Sequence, residues 1–267
     1  MVFLINSILL LILSGCSAWQ DKPIEEVMKA YALEERFDNY SKMLNSVEQQ
    51  NLDKVLNVSS DMALQLKDEI LYIKLFYFHK QSANNIKMYL QKYKQSKGII
   101  LDLRNNPGGL LNESLAILNI FIDKGVLLKR VQKYNVLIER AIGNSTTSLP
   151  LVILVNKKSA SASEIVSGVL QERKRAIIIG ETTFGKGSIQ DIVIFKKKKL
   201  FKVTTEYYHL PSGKNINNVG IVPDISIKHN KIYKIKKDFK SYRVLFRELK
   251  FKQKDIPLVL AQMILAD

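Results

Sequence analysis

Three short segments that are apolar except for Asp102 limit the folds open to this chain. They are Gly98–Leu103, Leu149–Val155 and Ala176–Gly180, and turn residues or segments with helical spacing lie between them. Strands that are apolar on both faces lie inside a sheet that is covered on both sides. Helical crossovers of about ten residues or more between such strands leave neighbouring strands parallel. The sequence therefore predicts an α/β fold with a mostly parallel sheet.

The remaining segments predict the other elements of this fold. Helices are expected at Ser82–Lys94, Leu110–Ile122, Ser161–Gln171 and Pro257–Ala266, and a further strand at Ile70–Phe78. After Gly187 the sequence becomes rich in strand residues, and Ser188–Phe195 and Leu200–Tyr208 predict antiparallel additions. Residues 24–66 contain no glycine and carry one apolar stripe, which predicts a helical N-terminal segment.

Residues 1–16 have the pattern of an export signal. Val2–Leu13 is apolar except for Asn6 and Ser7, and it is shorter than the ~20 residues of a membrane span. The segment ends in LSGC, which resembles the lipobox of bacterial lipoproteins, where the cysteine is lipidated. No Lys or Arg precedes Cys16, and a buried N-terminal helix is the alternative interpretation. We expect Cys16 to be lipidated and the protein to be a periplasmic or otherwise extracytoplasmic, membrane-anchored lipoprotein.

The composition argues against nucleic acid and metal as partners. The formal net charge is +16, but the lysines fall in scattered runs such as Lys196–Lys199 and Lys231–Lys240. No aromatic and arginine side chains alternate with these runs, as a single-strand binding surface would require. The single cysteine excludes an internal disulfide, and the three histidines lack the paired spacing of metal ligands. We therefore expect solvated lysine-rich faces, no nucleic-acid partner and no metal site.

A serine-rich turn after Val155 is the first candidate for catalytic chemistry. In residues 159–164 (SASASE) a serine precedes a predicted helix, where backbone N–H groups and the helix dipole stabilise negative charge on an oxygen. A nucleophilic serine at this place gains the amide of the next residue as an oxyanion donor. Gly108 and Gly109, which follow the predicted strand Gly98–Leu103, can supply a second donor. Taken alone, such a serine is more often a helix N-cap.

The loop Thr183–Ser188 offers a candidate general base. Lys186 lies between two glycines, which allow close main-chain approach and can shield the amine from water. A lysine base must be neutral, so its reference pKa of about 10.4 must fall through burial or nearby positive charge. If residues 186–190 form a strand, Gln190 shares a face with Lys186 and can hydrogen-bond its amine.

The same region partly fits a phosphate-binding loop. Residues 180–186 match G-x-x-x-x-G-K, but Gly187 stands where Ser or Thr would hold a magnesium ion. The segment that follows predicts a strand rather than the helix whose N-terminus would bind the phosphates. A nucleotide site is therefore not expected.

Together these segments closely resemble the carboxyl-terminal processing (tail-specific) proteases of bacteria and chloroplasts. The resemblance runs from about Ile70 to Ile227 and rests on four motifs in the family's order and spacing. The motifs are Gly98–Leu111, Leu151–Ile165, Gly180–Gln190 and Thr204–Ile225. The resemblance implies a crotonase/ClpP-like core and a serine endopeptidase that needs no cofactor or metal.

The resemblance also implies residue roles. Ser161 matches the nucleophile by its spacing, which Ser159 and Ser163 do not fit. Lys186 matches the general base, and Gln190 the residue that orients it in some members. The oxyanion hole corresponds to Gly108 or Gly109 together with the Ala162 amide, and Glu164 matches an accessory acidic position. A capping-box acid is an equal alternative for Glu164.

Domain organisation is where the chain departs from this family. Members usually carry a PDZ domain that binds the substrate's C-terminus by strand addition. Only a few residues separate the predicted helical segment from Ile70, so we expect no PDZ domain. The domains are then residues 1–16 (signal peptide with lipobox), 17–66 (helical N-terminal segment) and 67–267 (catalytic domain).

The expected partners are protein or peptide substrates of the cell envelope and a second copy that dimerises through the N-terminal helices. A catalytically idle adaptor or scaffold protein of the envelope is the alternative function. The presence of Ser161, Lys186 and Gln190 at the family's spacing favours the enzyme.

Overall fold

The computed structural model describes residues 61–195, 199–228, 231–236, 239 and 255–266. In this part of the chain the strands are β1 (Asp61–Gln65), β2 (Ile70–Leu75), β3 (Gly98–Asp102), β4 (Val126–Val131), β5 (Val136–Arg140), β6 (Leu151–Val155), β7 (Ile177–Gly180), β8 (Ser188–Phe195), β9 (Lys199–His209), β10 (Ile225–Lys228) and β11 (Lys231–Ile235). The helices are α1 (Ser82–Lys92), α2 (Leu111–Phe121), α3 (Ala162–Glu172) and α4 (Ile256–Ala266), with a 3-10 turn at Lys67–Glu69.

A large sheet carries the core, with strand order β1-β2-β3-β6-β7-β10-β11. Its five inner strands are mutually parallel, and β1 and β11 pair antiparallel at the two ends. A smaller sheet has the order β5-β4-β9-β8. Residues 190–204 belong to a second compact unit.

Both faces of the large sheet are buried. Along β3, Ile99 and Leu101 pack into a core shared with α1, α2 and α3. Ile100, between them, packs into a second core shared with α4. Alternate side chains of a strand point to opposite faces, so a strand covered on both sides is apolar at every position. This burial explains the continuous apolar segments in the sequence.

The structure confirms a mixed α/β fold in which a mostly parallel sheet is joined by an antiparallel one. The helix predicted for residues 24–66 lies mostly outside the described residues, and it is wrong for Asp61–Gln65. That segment is strand β1, because antiparallel pairing with Leu71–Leu75 satisfies its backbone groups. The boundary drawn between residues 66 and 67 therefore falls within the β1–β2 connection. The β4–β5 hairpin was not predicted.

The strand order brings three distant parts of the sequence together. Strands β3, β6 and β7 are neighbours, and parallel strands end at the same edge of a sheet. The loops that follow them, residues 103–110, 156–161 and 181–187, therefore meet at this carboxyl edge. These loops contain the three segments that the sequence marked for catalytic chemistry.

A buried ionic network fixes the end of β3. The carboxylate of Asp102, which is 1% exposed, accepts hydrogen bonds from Tyr72 Oη at 2.8 Å and Lys74 Nζ at 3.0 Å. It also pairs with the Arg104 guanidinium at 2.6 Å, and Arg104 reaches Asp255 at 2.8 Å. Burial raises the pKa of the Asp102 carboxyl, but the hydrogen bonds and charges of Arg104 and Lys74 outweigh it and leave that pKa below its usual value. The network anchors the loop that leads to Gly108.

We expect Asp102→Asn to lower the free energy of unfolding by about 3 kcal/mol at pH 7, because it leaves buried cations without their counter-charge. The folded-state pKa of Asp102 is depressed, so its contribution is present above the unfolded-state pKa of about 3.9 and is lost as pH falls through the folded value. Urea unfolding of parent and variant should therefore differ at pH 7 and converge towards pH 3. Asp123→Asn, at an exposed position, is the matched control. A parent–variant difference that does not change between the two pH values would contradict this assignment.

Candidate active site

Ser161 opens helix α3 in a strained backbone conformation. Its φ is 56° and its ψ is −117°, a backbone region that residues other than glycine rarely adopt. Strain of this kind concentrates at functional sites, where the surrounding structure enforces it. The Ser161 N–H donates to Glu164 Oε2 at 2.9 Å. The side chain is partly exposed, as a residue that meets a substrate must be.

The two neighbouring serines have structural contacts instead. Ser159 and Ser163 are both fully buried. Ser159 Oγ donates to the Leu103 carbonyl at 2.8 Å, and Ser163 Oγ donates to the Asn106 carbonyl at 3.0 Å. Both hydroxyls thus tie the loop after β3 to the start of α3. Of the three candidate serines, only Ser161 is at a partly exposed position.

Glu164 binds the backbone of both predicted catalytic residues. It is fully buried, and its Oε2 accepts the N–H of Ser161 at 2.9 Å and the N–H of Lys186 at 2.8 Å. Its Oε1 accepts the Gly185 N–H at 2.6 Å and Thr183 Oγ1 at 2.5 Å. Two bonds that meet at one oxygen hold the Ser161 and Lys186 amide nitrogens no more than about 6 Å apart. The bond from the Ser161 N–H is the carboxylate half of a capping box, one of the two alternatives that the sequence left open for Glu164.

The loop that carries Lys186 has a fully hydrogen-bonded run of amides. Besides the Gly185 and Lys186 bonds to Glu164, Thr183 N–H donates to the Ile221 carbonyl at 3.2 Å, Phe184 N–H to the Ser159 carbonyl at 3.0 Å and Gly187 N–H to Asn217 Oδ1 at 3.2 Å. Since each N–H from Thr183 to Gly187 has a fixed acceptor, the backbone at Lys186 is held in one position. The Lys186 side chain is partly buried.

The glycines beside Lys186 allow another segment to approach. A Cβ at Gly187 would lie 2.5 Å from the Asn217 nitrogen, and one at Gly185 would lie 3.0 Å from the Val219 nitrogen. Gly185 also has a φ of +89°, which favours glycine. The turn at residues 217–220 therefore packs directly on the lysine loop. Close approach of main chain is what the glycines on either side of Lys186 predicted.

The glycine loop after β3 contacts the start of α3. A Cβ at Gly108 would lie 2.7 Å from Ser161 Cβ and 3.1 Å from the Ala162 nitrogen. The Gly108 N–H, however, donates to Asn106 Oδ1 at 2.8 Å. The Gly109 and Ala162 N–H groups have no hydrogen-bond acceptor in the described part of the chain. Of the two predicted glycines, Gly109 is the one whose amide has no acceptor among the described residues.

Sequence reasoning missed two residues of this site. The side-chain oxygen of Asn106 accepts the Gly108 N–H. The sequence signal for this bond was the tendency of Asn to hydrogen-bond the backbone two residues on. Thr183 donates to Glu164 and accepts the Ile221 N–H at 2.7 Å, and no local pattern marked it.

Two predicted residues remain untested by the coordinates. Gln190 lies in β8, but its side chain is outside the described residues. Strand β8 begins at Ser188, so the shared-face argument does not extend to Lys186. Cys16 and the proposed N-terminal helices also lie outside the described residues.

In residues 61–195, 199–228, 231–236, 239 and 255–266, no cluster of three or more His, Cys, Asp or Glu side chains is arranged to hold a metal ion. No helix in the same ranges has the length and apolar character to cross a bilayer.

Comparison with known proteins places this site in a family. The model of Peptidase family S41 matches residues 69–227, more than half of the chain. The chain belongs to peptidase family S41. The matched region contains all three loops of the site.

Curated relatives of this S41 chain carry protease names. It is 36% identical over 173 residues to the carboxy-terminal-processing protease of Bartonella bacilliformis, covering 61% of this chain and 40% of that protein. It is 39% identical over 160 residues to the carboxyl-terminal-processing protease of a Picosynechococcus strain, covering 59% and 39%. The S41 chain thus spans about two fifths of the length of these relatives.

Two solved structures share the fold. The photosystem II D1 C-terminal processing protease is 34% identical with a TM-score of 0.57, over 60% of this S41 chain and 42% of that one. A peptidase structure from Parabacteroides merdae has a TM-score of 0.59 over 93% and 90% of the two chains. At 17% identity this second likeness shows the fold alone.

We expect Glu164→Gln to destabilise the S41 site, because an amide NH₂ must then face two of the four donors. A loss of about 2–3 kcal/mol in the free energy of unfolding is expected from a buried donor left unpaired. Glu172→Gln is the matched control, since Glu172 ends the same helix and binds the exposed Ser212, at 2.7 and 2.9 Å. Chemical denaturation measures both variants. Equal stability of the two would show that the Glu164 bonds do not hold the loops together.

Proposed function

We propose that this chain is a serine endopeptidase in which Ser161 is the nucleophile and Lys186 the general base. The observation that carries the proposal is the position of Glu164, whose Oε2 binds the backbone N–H of both residues. Their side chains therefore start from adjacent points of the backbone. The S41 family match and the protease names of its relatives support the same reaction.

The reaction follows from the groups at the site. A neutral Lys186 amine removes the Ser161 hydroxyl proton as the oxygen attacks the carbonyl carbon of a peptide bond. The carbonyl oxygen becomes negatively charged and binds the free N–H groups of Gly109 and Ala162. Lys186 then returns the proton to the leaving amine, and an acyl-enzyme remains. Water, deprotonated by the same amine, attacks the acyl carbon and releases the acid and the serine.

Gln190 and Glu164 have supporting roles in this proposal. Glu164 positions the two loops through their backbones and does not contact the substrate. Gln190 follows Lys186 by four residues and would orient its amine, as the resemblance implies. The strained backbone at Ser161 and the N-terminus of α3 direct a helix dipole at the developing charge.

The substrates proposed are proteins of the cell envelope, cut near their C-termini. The names of the relatives support C-terminal processing, and the export-type N-terminus with Cys16 supports an anchored, extracytoplasmic enzyme.

We expect hydrolysis of unfolded casein by the purified chain to fall about 10³-fold or more in Ser161→Ala and in Lys186→Ala, since the residues of such a unit act together. Lys158→Ala, at an exposed lysine just before the nucleophile, should retain parent activity. Circular dichroism confirms that each variant is folded. Equal turnover by the parent and both site variants would overturn the enzyme assignment and favour an adaptor.

Ser159→Ala and Ser163→Ala separate structural from catalytic serines. Each removes a buried hydrogen bond to a loop carbonyl, so we expect a loss of about 1–2 kcal/mol in unfolding free energy. Turnover per folded molecule should stay within about tenfold of the parent, whereas Ser161→Ala abolishes it. Complete inactivity of a folded Ser159 or Ser163 variant would contradict the choice of Ser161.

A further inference from the structure

The outer edge of β5 presents an apolar row. In the described residues β5 pairs with β4 alone and ends the smaller sheet. Exposed apolar side chains recur at every second position through β5 and the residues on either side of it, except at Arg140: Tyr134, before the strand, is 78% exposed, Val136 48%, Ile138 47%, and Ile142, after the strand, 76%. Alternate residues of a strand share one face. Exposed apolar edge strands are sites of pairing with another chain.

Backbone directions show which groups of β5 face outwards. The Gln132 N–H donates to the Asn135 carbonyl, and the Ala141 N–H donates to the Gly125 carbonyl. Odd-numbered residues therefore direct their N–H and C=O groups at β4. Residues 136, 138 and 140 direct theirs away from it. In agreement, the Val136 N–H is bound by its neighbour's side chain, Asn135 Oδ1, at 2.8 Å.

We propose that β5 pairs antiparallel with β5 of a second copy of this chain, about a two-fold axis at Ile138. In this register Ile138 faces its symmetry mate and Val136 faces Arg140 of the other copy. Each facing pair can exchange two backbone hydrogen bonds, and the pairs at Val136 require Asn135 to release its N–H. Tyr134 and Ile142 meet at the two ends of the row.

Other two-fold registers of the same strand are worse. A centre at Arg140 places two guanidinium groups directly opposite each other, which is destabilising. A centre at Val136 places Ile138 opposite Tyr134 in the hairpin turn, where the strand has ended. The strand is self-complementary at Ile138, and this favours a second copy over an unrelated peptide as the occupant.

The size and charge of the interface set its strength. Two such edges bury on the order of 1,000 Å² in total, near the lower limit for a specific interface. Each copy carries a formal net charge of +16, and the copies repel one another over a Debye length. The dimer is therefore weak, increases with protein concentration and is strengthened by salt.

Cysteine cross-linking tests the register, in a Cys16→Ser background that removes the native thiol. Facing residues of a hydrogen-bonded pair have Cα atoms about 5.5 Å apart, within disulfide range. Ile138→Cys should form a disulfide-linked dimer under mild oxidation. Val136→Cys alone should not, because its symmetry mate is four residues away, about 13 Å along the strand. A mixture of the Val136→Cys and Arg140→Cys chains should cross-link.

Sedimentation of the full chain provides the second measurement. The parent's average mass should rise with concentration and with added salt, and Ile138→Lys should remain monomeric under the same conditions. Met88→Lys, at an exposed apolar residue of α1, is the matched control and should behave as the parent. Thermal unfolding by circular dichroism confirms that the variants are folded. A monomeric parent, unchanged association of Ile138→Lys, or equal cross-linking of Ile138→Cys and Val136→Cys alone would each overturn the proposal.

Discussion

The hydrogen bonds of one buried carboxylate hold the candidate site together. Glu164 sits one turn into helix α3 and accepts four donors, two from the proposed nucleophile and base and two from the rest of the lysine loop. A buried charge is tolerated only when its acceptor capacity is used. The same bonds that stabilise Glu164 therefore fix the distance between the backbones of Ser161 and Lys186. One set of hydrogen bonds thus both satisfies the buried carboxylate and positions the backbones of the two proposed catalytic residues.

The sheet makes this arrangement possible. Strands β3, β6 and β7 are adjacent and parallel, so the loops that follow them meet although their sequences are up to about 80 residues apart. Polar contacts then join the loops in pairs, from Ser159 to the Leu103 carbonyl and from Phe184 to the Ser159 carbonyl. The Asp102 network fixes the first of these loops at its base. The proposed cleavage chemistry depends on this rigidity, because oxyanion donors act only if they are already in place.

The site also separates residues of one type by their surroundings. Three serines within five positions differ in exposure and in hydrogen bonding, and two consecutive glycines differ in whether their amides have an acceptor in the part of the chain that the structure describes. In both cases a neighbouring acceptor makes the difference. The backbone carbonyls of Leu103 and Asn106 bind the hydroxyls of Ser159 and Ser163, and the side-chain oxygen of Asn106 binds the Gly108 N–H. The motif supplies the residue types, and the packing of the loops assigns their roles.

The sequence alone predicted four of the five inner strands, β2, β3, β6 and β7, the helices between them and the three loops that contain the site, but not β10. These depend on local periodicity and on turn residues, which are visible in a single chain. Tertiary structure decided the rest. Only the coordinates show that Glu164 links the backbones of Ser161 and Lys186, that the Gly108 amide is bound by Asn106, and that Asp61–Gln65 is a strand. Each of these depends on a partner distant in sequence, and no periodic pattern records such a partner.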